Sequence, residues 1–370
     1  MSGKRMRTLL GQLGLTQVRH VAPVPIGAGP DLVRQVYRQV EQEFGVLAPP
    51  MALHSPAPQV LAASWLMLRE TLIVTGQVDR AAKEAVATAV SLRNTCPFCV
   101  TMHSSTLSGL AGWTGLTARA NHTAGSVTDP RVRAAHAWAV DSGTEEGALR
   151  HEPTCPADQA PELIGTAVML QYLNRMVNVF LGEAPLPPGV PKIMLRPVMR
   201  VLGGVIRPAA HGPHPPGSSL DLLPPAPLPG DLSWAAHRPA VAGAFARGCA
   251  AIDAAGARSV PAVVRETVMT ELAGWHGEPR GPSRAWVEEI VSGLPVAHRA
   301  AGRLALLTAL ASYQVDQSVI DRFRLESPDD ATLVELTSWA SLAAARRAGG
   351  WIPVGMPEMA GAKVAVDENA

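Results

Sequence analysis

Residues 84–103 read EAVATAVSLRNTCPFCVTMH, and the rest of the chain is read outward from them. An alanine- and valine-rich run ends at Arg93-Asn94-Thr95, and a Cys-x-x-Cys pair follows at once. Glu84 stands twelve residues before Cys96, and His103 stands four after Cys99. Asp79 is a good N-cap for a helix over Arg80–Arg93. A second helix is expected over roughly 96–110, capped by Asn94 or Thr95. Pro97 suits its first turn, where a missing N–H loses no partner. Both sulfurs then lie at the positive end of the helix dipole, a position that lowers a thiol pKa and favours the thiolate. At 100° per residue Cys96, Cys99 and His103 fall within about 60° of one another on one face. Cys99 and His103 are an i,i+4 pair, so the imidazole is placed to take the thiol proton. Glu84, on the preceding helix, is placed to orient or recharge His103, giving nucleophile, base and third group. The two-residue spacing lets one sulfur resolve a sulfenic acid formed on the other.

Two other readings compete. Cys96, Cys99, His103 and Glu84 could supply four zinc ligands, although no second Cys-x-x-Cys exists. The cysteines could also be inert core, against which stand Pro97 between them and the polar Asn94, Thr95 and Thr101 around them.

Composition bounds the class. The chain has 370 residues, enough for two domains or one large one. It is 47% apolar and only 4% aromatic, with alanine dominant, which suits packed helices rather than β-sandwiches. A formal net charge of +1 implies no nucleic-acid partner. No stretch approaches the roughly 20 apolar residues of a membrane span. The first twenty residues carry Lys4, Arg5, Arg7 and Arg19 without the apolar run of a signal peptide, so a cytoplasmic location is expected. Four cysteines, Cys96, Cys99, Cys155 and Cys249, make no disulfide framework in such a chain.

Residues 1–30 read as a loosely ordered leader, and 31–185 as a helical redox domain. Within the latter, helices are expected from Asp31, over Val60–Thr75, over Pro130–Val140 and over Leu163–Leu181. Residues 186–232 hold twelve of the 33 prolines and read as a linker. Inside it Lys192–Arg207 is basic and amphipathic. It suits either a membrane surface or a segment laid over the two domains, and Pro197, Gly203 and Gly204 argue against a long helix. A second helical domain is expected over 233–357 and a disordered tail over 358–370. His298–Arg303 resembles Val78–Lys83 at an offset of about 219–220. In that register the positions of Cys96, Cys99 and His103 fall on Val315/Asp316, Ser318/Val319 and Arg322/Phe323. The second half then reads as a repeat without the chemistry. Elsewhere, His136, Trp275, Trp286 and Trp339 read as core, and His211 and His214 as parts of a flexible linker. Cys155 and Cys249 read as bystanders, and Glu70 and Glu266 as solvated or ion-paired.

The pattern Glu-x11-Cys-x2-Cys-x3-His resembles the alkylhydroperoxidase D-like (AhpD-like) branch of the carboxymuconolactone decarboxylase superfamily. Glu84, Cys96, Cys99 and His103 all stand at that branch's spacing. Ala81–Val86 and Gln171–Asn178 resemble its flanking and closing helices, so the likeness covers roughly 31–185. It implies an all-α, homo-oligomer-forming peroxidase or disulfide reductase with no bound cofactor or metal. By that likeness Cys99 attacks peroxide, Cys96 resolves, His103 is the base and Glu84 begins a proton relay. Read from the residues alone, dipole exposure favours Cys96 as nucleophile and proximity to His103 favours Cys99. The reductant implied is a lipoyl-protein or a thioredoxin-like dithiol. The chain departs from some close members in carrying Phe98 where they carry a histidine, which dries the site and removes a proton donor. An antioxidant hydroperoxide reductase is therefore expected; a protein disulfide reductase or redox sensor, and a zinc-structured interaction module, are the alternatives.

Overall fold

The structure, a computed structural model, describes residues 3–111, 129–150, 156, 158–210 and 212–353. Cys155, His211 and the tail 358–370 lie outside the described residues. The fold is all-α, with no strand among the described residues. The helices are α1 (Gly3–Leu15), α2 (Asp31–Glu43), α3 (Pro49–Ala52), α4 (Pro58–Leu68), α5 (Arg80–Arg93), α6 (Pro97–Ala111), α7 (Pro130–Asp141) and α8 (Glu145–Arg150). They continue with α9 (Ala160–Phe180), α10 (Leu195–Ala210), α11 (Pro239–Ser259), α12 (Ala262–Ala273), α13 (Ala285–Ser292), α14 (Arg299–Ala311), α15 (Gln317–Arg324) and α16 (Asp330–Gly349).

Helix α9 is the axis of the core. Of its 21 residues only Asn178 is not buried, because the helix is apolar on every side and neighbours cover all of it. Helices α5 and α16 lie along it, α16 also packs on α11 and α14, and α11 packs on α4. Side chains from before and after residues 186–232 therefore meet in one hydrophobic core. Total burial obliges each polar side chain of α9 to find a partner. Tyr172 Oη lies 2.8 Å from Ser64 Oγ, 2.9 Å from His54 Nε2 and 3.2 Å from Ser338 Oγ, tying α9 to α4 and α16. Burial lowers the His54 pKa to about 3, so the imidazole is neutral. Arg175 donates to the Ala309 carbonyl at 2.8 Å and to Gln171 Oε1 at 2.7 Å.

Near the start of α9, Glu162 organises the approach to α5. Its carboxylate accepts from the Gln77 and Val78 amides at 2.9 and 3.2 Å and pairs with Lys83 at 2.8 Å and Arg238 at 2.6 Å. Burial opposes its ionisation, but Lys83 and the two amides prevail and hold it below the ordinary carboxyl value. Gly76 is required beside it, since a Cβ there would strike the carboxylate.

Four sequence expectations need correction. The leader is not loose: residues 3–15 form α1, the Arg19 amide donates to the Phe180 carbonyl at 2.8 Å, and the Ala22 amide to Asp330 Oδ2 at 2.8 Å. The segment after residue 186 contains a sixteen-residue helix, α10, laid across α2 and α6. Pro197 falls in its first turn, where no donor is needed, and Gly203 and Gly204 have open space around them. The turn after α2 meets α10 at Gly45, whose φ of 98° and lack of a side chain admit the Val205 carbonyl. His214 is buried rather than flexible: Nε2 donates to the Ala209 carbonyl at 2.8 Å, and its own carbonyl accepts from Thr75 at 3.2 Å. The helix expected over 60–75 is regular only to Leu68 and continues as one π-helical turn, Arg69–Ile73. There Arg69 is buried between Glu43 at 2.8 Å and Ser218 at 2.7 Å, and Glu70 is its ion-pair neighbour. Trp275 and Trp339 are core, while Trp286 packs at its margin under Arg280. Among the described residues no helix is long and apolar enough to cross a membrane.

Glu162→Ala leaves the Lys83 ammonium and two amides buried without their acceptor. We expect a loss of about 3–5 kcal/mol in urea unfolding, against a smaller loss for Glu162→Gln; equal stability of wild type and Glu162→Ala would refute the role. A second expectation concerns pH. The His54 pKa is depressed in the fold, so the unfolded chain binds the extra proton as pH falls from about 6.5 toward 3. Stability is lost across that window by up to about 1.4 kcal/mol per pH unit from this group. In calorimetry at stepped pH, His54→Gln should flatten the slope there.

Candidate active site

The site is built at the junction of α5 and α6. Helix α5 starts at Asp79, whose carboxylate accepts from the Ala81 amide at 2.6 Å, and it ends in a Schellman turn. The Cys96 amide reaches back to the Ser91 carbonyl at 3.0 Å and the Thr95 amide to the Leu92 carbonyl at 3.2 Å. Thr95 occupies the left-handed position with φ 50°, which glycine usually fills and a β-branched residue adopts only under strain. Cys96 follows immediately, and its carbonyl accepts from the Val100 amide at 3.0 Å, so Cys96 itself is the N-cap of α6. The expectation that Asn94 or Thr95 would cap α6 is corrected by that turn, which uses both residues to end α5.

Helix α9 supports the turn from below. Asn174 Nδ2 donates to Ser91 Oγ at 3.0 Å, and Asn174 Oδ1 accepts from Asn94 Nδ2 at 3.0 Å. One turn on, Asn178 Nδ2 lies 3.1 Å from the Asn94 carbonyl and 3.0 Å from Ser312 Oγ. These amides fix the strained link from both ends.

Cys96 and Cys99 are free thiols with 1% and 2% of their surface exposed. Burial pushes the Cys99 thiol well above its ordinary value, the adjoining Cys96 adds to this, and a hydrogen bond with Asn174 offsets it in part. A thiolate favoured by the helix dipole was expected; desolvation of the sulfur outweighs the dipole, so Cys99 rests as a thiol.

His103 lies one turn further along the same helix and lines the same cavity as Cys99. Its Nδ1 lies 2.7 Å from Glu84 Oε2. The other carboxylate oxygen, Oε1, accepts from Arg80 Nε at 2.8 Å, one turn earlier on α5. Burial opposes ionisation of Glu84, but Arg80 and then His103 outweigh it and hold the carboxyl below its ordinary value. An ionised Glu84 only accepts, so the His103 Nδ1 facing it carries a hydrogen. Arg80, Glu84 and His103 thus form one chain of contacts, buried at Glu84 and ending at the imidazole.

Cys99 and His103 line a cavity of about 810 Å³, with Phe98 and Met102 of the same helix beside them. The structure brings Glu84 and His103 into contact, sets Cys96 against Cys99, and places Cys99 with His103 on one cavity wall. His136, half-buried on α7, and Cys249, buried on α11 with its thiol pushed up to about 12, line no part of it. Arg80, Ser91, Asn174 and Asn178 were missed in the sequence. Their signals were Arg80 at i−4 from Glu84, and two asparagines one turn apart in an otherwise apolar helix.

Because burial holds the Cys99 thiol high, its alkylation by iodoacetamide should be slow at pH 7 and rise with an apparent pKa above the ordinary value of about 8.5. Asn174→Ala removes the group that lowers it and should move the midpoint higher still; a wild-type midpoint below pH 8 would contradict this account.

No family model matches the chain. In a comparison with curated proteins it is 38% identical over 338 residues to the alkyl hydroperoxide reductase Rv2159c of Mycobacterium tuberculosis, an alignment covering 90% of this chain and 95% of that one.

Proposed function

The chain belongs to the family of alkyl hydroperoxide reductase Rv2159c, and from that premise we propose that it is a hydroperoxide reductase using Cys96 and Cys99 as a redox dithiol. Its wider kin, in this proposal, is the AhpD-like branch of the carboxymuconolactone decarboxylase superfamily. The observation that carries the reading is that Cys99 and His103 share the wall of a large cavity, while both sulfurs are shut off from the protein surface.

In this reading His103 Nε2 takes the Cys99 proton, and Glu84, held ionised by Arg80, stabilises the imidazolium that results. The thiolate attacks the terminal oxygen of the hydroperoxide. An S–O bond forms, the O–O bond breaks, and the alkoxide leaves as the alcohol with the proton returned by His103. The Cys96 sulfur then attacks the sulfenic sulfur of Cys99; a disulfide forms and hydroxide leaves as water with the Cys96 proton. The net change is one hydroperoxide and one dithiol to alcohol, water and disulfide. Phe98, buried beside the pair, keeps bulk water from the sulfenic acid.

An external dithiol must reopen the disulfide. Burial of both sulfurs favours a thin reductant such as a lipoyl arm over a thioredoxin-like face, which would have to bring its own cysteine through the cavity. The same burial weighs against a protein disulfide as substrate. Helices α14 and α15 begin at Arg299 and Gln317, as far along the chain from Arg80 and Pro97 as the sequence offset requires. This supports reading 233–357 as a degenerate copy of the first domain, acting as a built-in partner through Ser312 and Ala309. A homo-oligomer in the cytoplasm completes the proposal.

The test is thiol titration with stopped-flow oxidation of pre-reduced protein. Wild type should lose about two thiols per chain and gain the Cys96–Cys99 disulfide. Cys99→Ser should not react, and Cys96→Ser should stop at a sulfenic acid. His103→Gln and Glu84→Gln should slow oxidation by roughly 10²–10⁴-fold and less, respectively. Thiols untouched by every hydroperoxide but readily oxidised by a disulfide reagent would replace this reading with dithiol exchange.

A further inference from the structure

The cavity is far larger than the reaction needs. Its volume of about 810 Å³ is roughly 27 times the 30 Å³ share of one water and within the range of sites that enclose whole organic ligands. The lining is almost wholly apolar. Val40 of α2 and Phe44 just after it, Trp65 and Leu68 of α4, and Leu173 of α9 form much of it. Even Trp65 turns its polar atom elsewhere, donating from Nε1 to Gln39 at 2.7 Å. Cys99, His103, Thr16 and Gln17 are the polar exceptions. Thr16 is engaged with the Leu13 carbonyl at 2.8 Å, whereas Gln17 Oε1 is buried with no partner among the described residues.

The walls also come from outside the stretch that carries the dithiol motif. Leu10 and Leu13 of α1 and Val198, Val201 and Leu202 of α10 close the cavity. Leu13 and Val201 are half-exposed while lining it, which puts its mouth between α1 and α10. Helix α10 is held at its far end, where Ile206 is buried and His214 holds the Ala209 carbonyl. The turn leading into its near end is bare: Ile193 is 85% exposed.

We propose that this cavity is a binding site for a long aliphatic tail, filled from the mouth between α1 and α10, and that it makes the enzyme selective for long-chain organic hydroperoxides over hydrogen peroxide. The inference rests on the hydroperoxide-reductase reading above. The hydroperoxide group lies at Cys99 and His103, the tail runs along the apolar wall, and α10 closes over it as a lid. Gln17 offers an acceptor to a hydroxyl or protonated carboxyl on the chain. Each methylene moved from water into such surroundings is worth roughly fourfold in affinity, so chain length should be read out steeply.

The experiment is the rate of Cys99 oxidation by hydrogen peroxide, tert-butyl hydroperoxide and a linoleic acid hydroperoxide, in wild type, Val198→Trp and Leu13→Trp. The expected result is a rate constant at least roughly tenfold higher for the long-chain substrate than for hydrogen peroxide, with the ratio collapsing toward one in either tryptophan variant. A ratio that is flat or inverted in wild type overturns the tail site while leaving the peroxidase reading intact. If no hydroperoxide oxidises Cys99, that reading falls by itself, and dodecanol then decides the site. Protection of wild-type Cys99 from iodoacetamide by dodecanol, lost in the variants, supports the tail site; no protection overturns it.

Discussion

The burial of α9 along all but one of its residues is the constraint on which the rest of the structure depends. A helix covered on all sides has no water for its polar side chains, so every one must be satisfied by the protein. Glu162 reaches Lys83, Arg238 and the turn before α5; Tyr172 reaches His54, Ser64 and Ser338; Asn174 and Asn178 reach the turn between α5 and α6. Each partnership fixes a different element against α9. The site is held by the last of them, and the second half of the chain is drawn in by Ser338, Ala309 and Ser312.

The same desolvation sets the chemistry. A helix N-terminus stabilises a thiolate only where solvent or charge helps it, and the Cys99 sulfur is buried against another thiol. Cys99 is therefore held as the neutral thiol, and the charge of the site is stored next door, in Glu84 and Arg80. Storing it in an ion pair lets the carboxylate stay ionised although it is buried. The pair in turn fixes the tautomer of His103. In the proposed function, these three residues on two helices are the route by which the proton leaves the shielded thiol.

Strain is placed at the same point. Thr95 holds a left-handed conformation between two elements that leave it no choice, with Asn178 gripping the preceding carbonyl. That turn converts the end of α5 directly into the start of α6 and puts Cys96 at the cap rather than a turn further out. A looser connection would let the two sulfurs separate from Asn174 and from each other.

The all-α class followed from composition and from periodicity, since alanine-rich amphipathic runs leave few other folds open. That Cys96, Cys99 and His103 share one helix face was legible because helical spacing is local: i,i+3 and i,i+4 neighbours meet whatever surrounds them; Glu84, nineteen residues before His103 on another helix, stood out only through the spacing of the motif. What lay beyond one or two turns was not legible. The direction of the Cys99 pKa was misread because desolvation is a property of the whole packed neighbourhood, not of the helix that carries the sulfur. Helix α10 was missed because Pro197 and two glycines break an isolated helix, whereas Gly45, Ile206 and His214 hold this one by tertiary contacts. The cavity could not be inferred from the chain at all. Its walls come from α1, α2, α4, α6, α9 and α10, and an empty space has no residue of its own to announce it. The sequence by itself determined which thiol and imidazole groups share a helix face; only the tertiary structure decided how dry they are and what can reach them, because burial is summed over the fold and not along the chain.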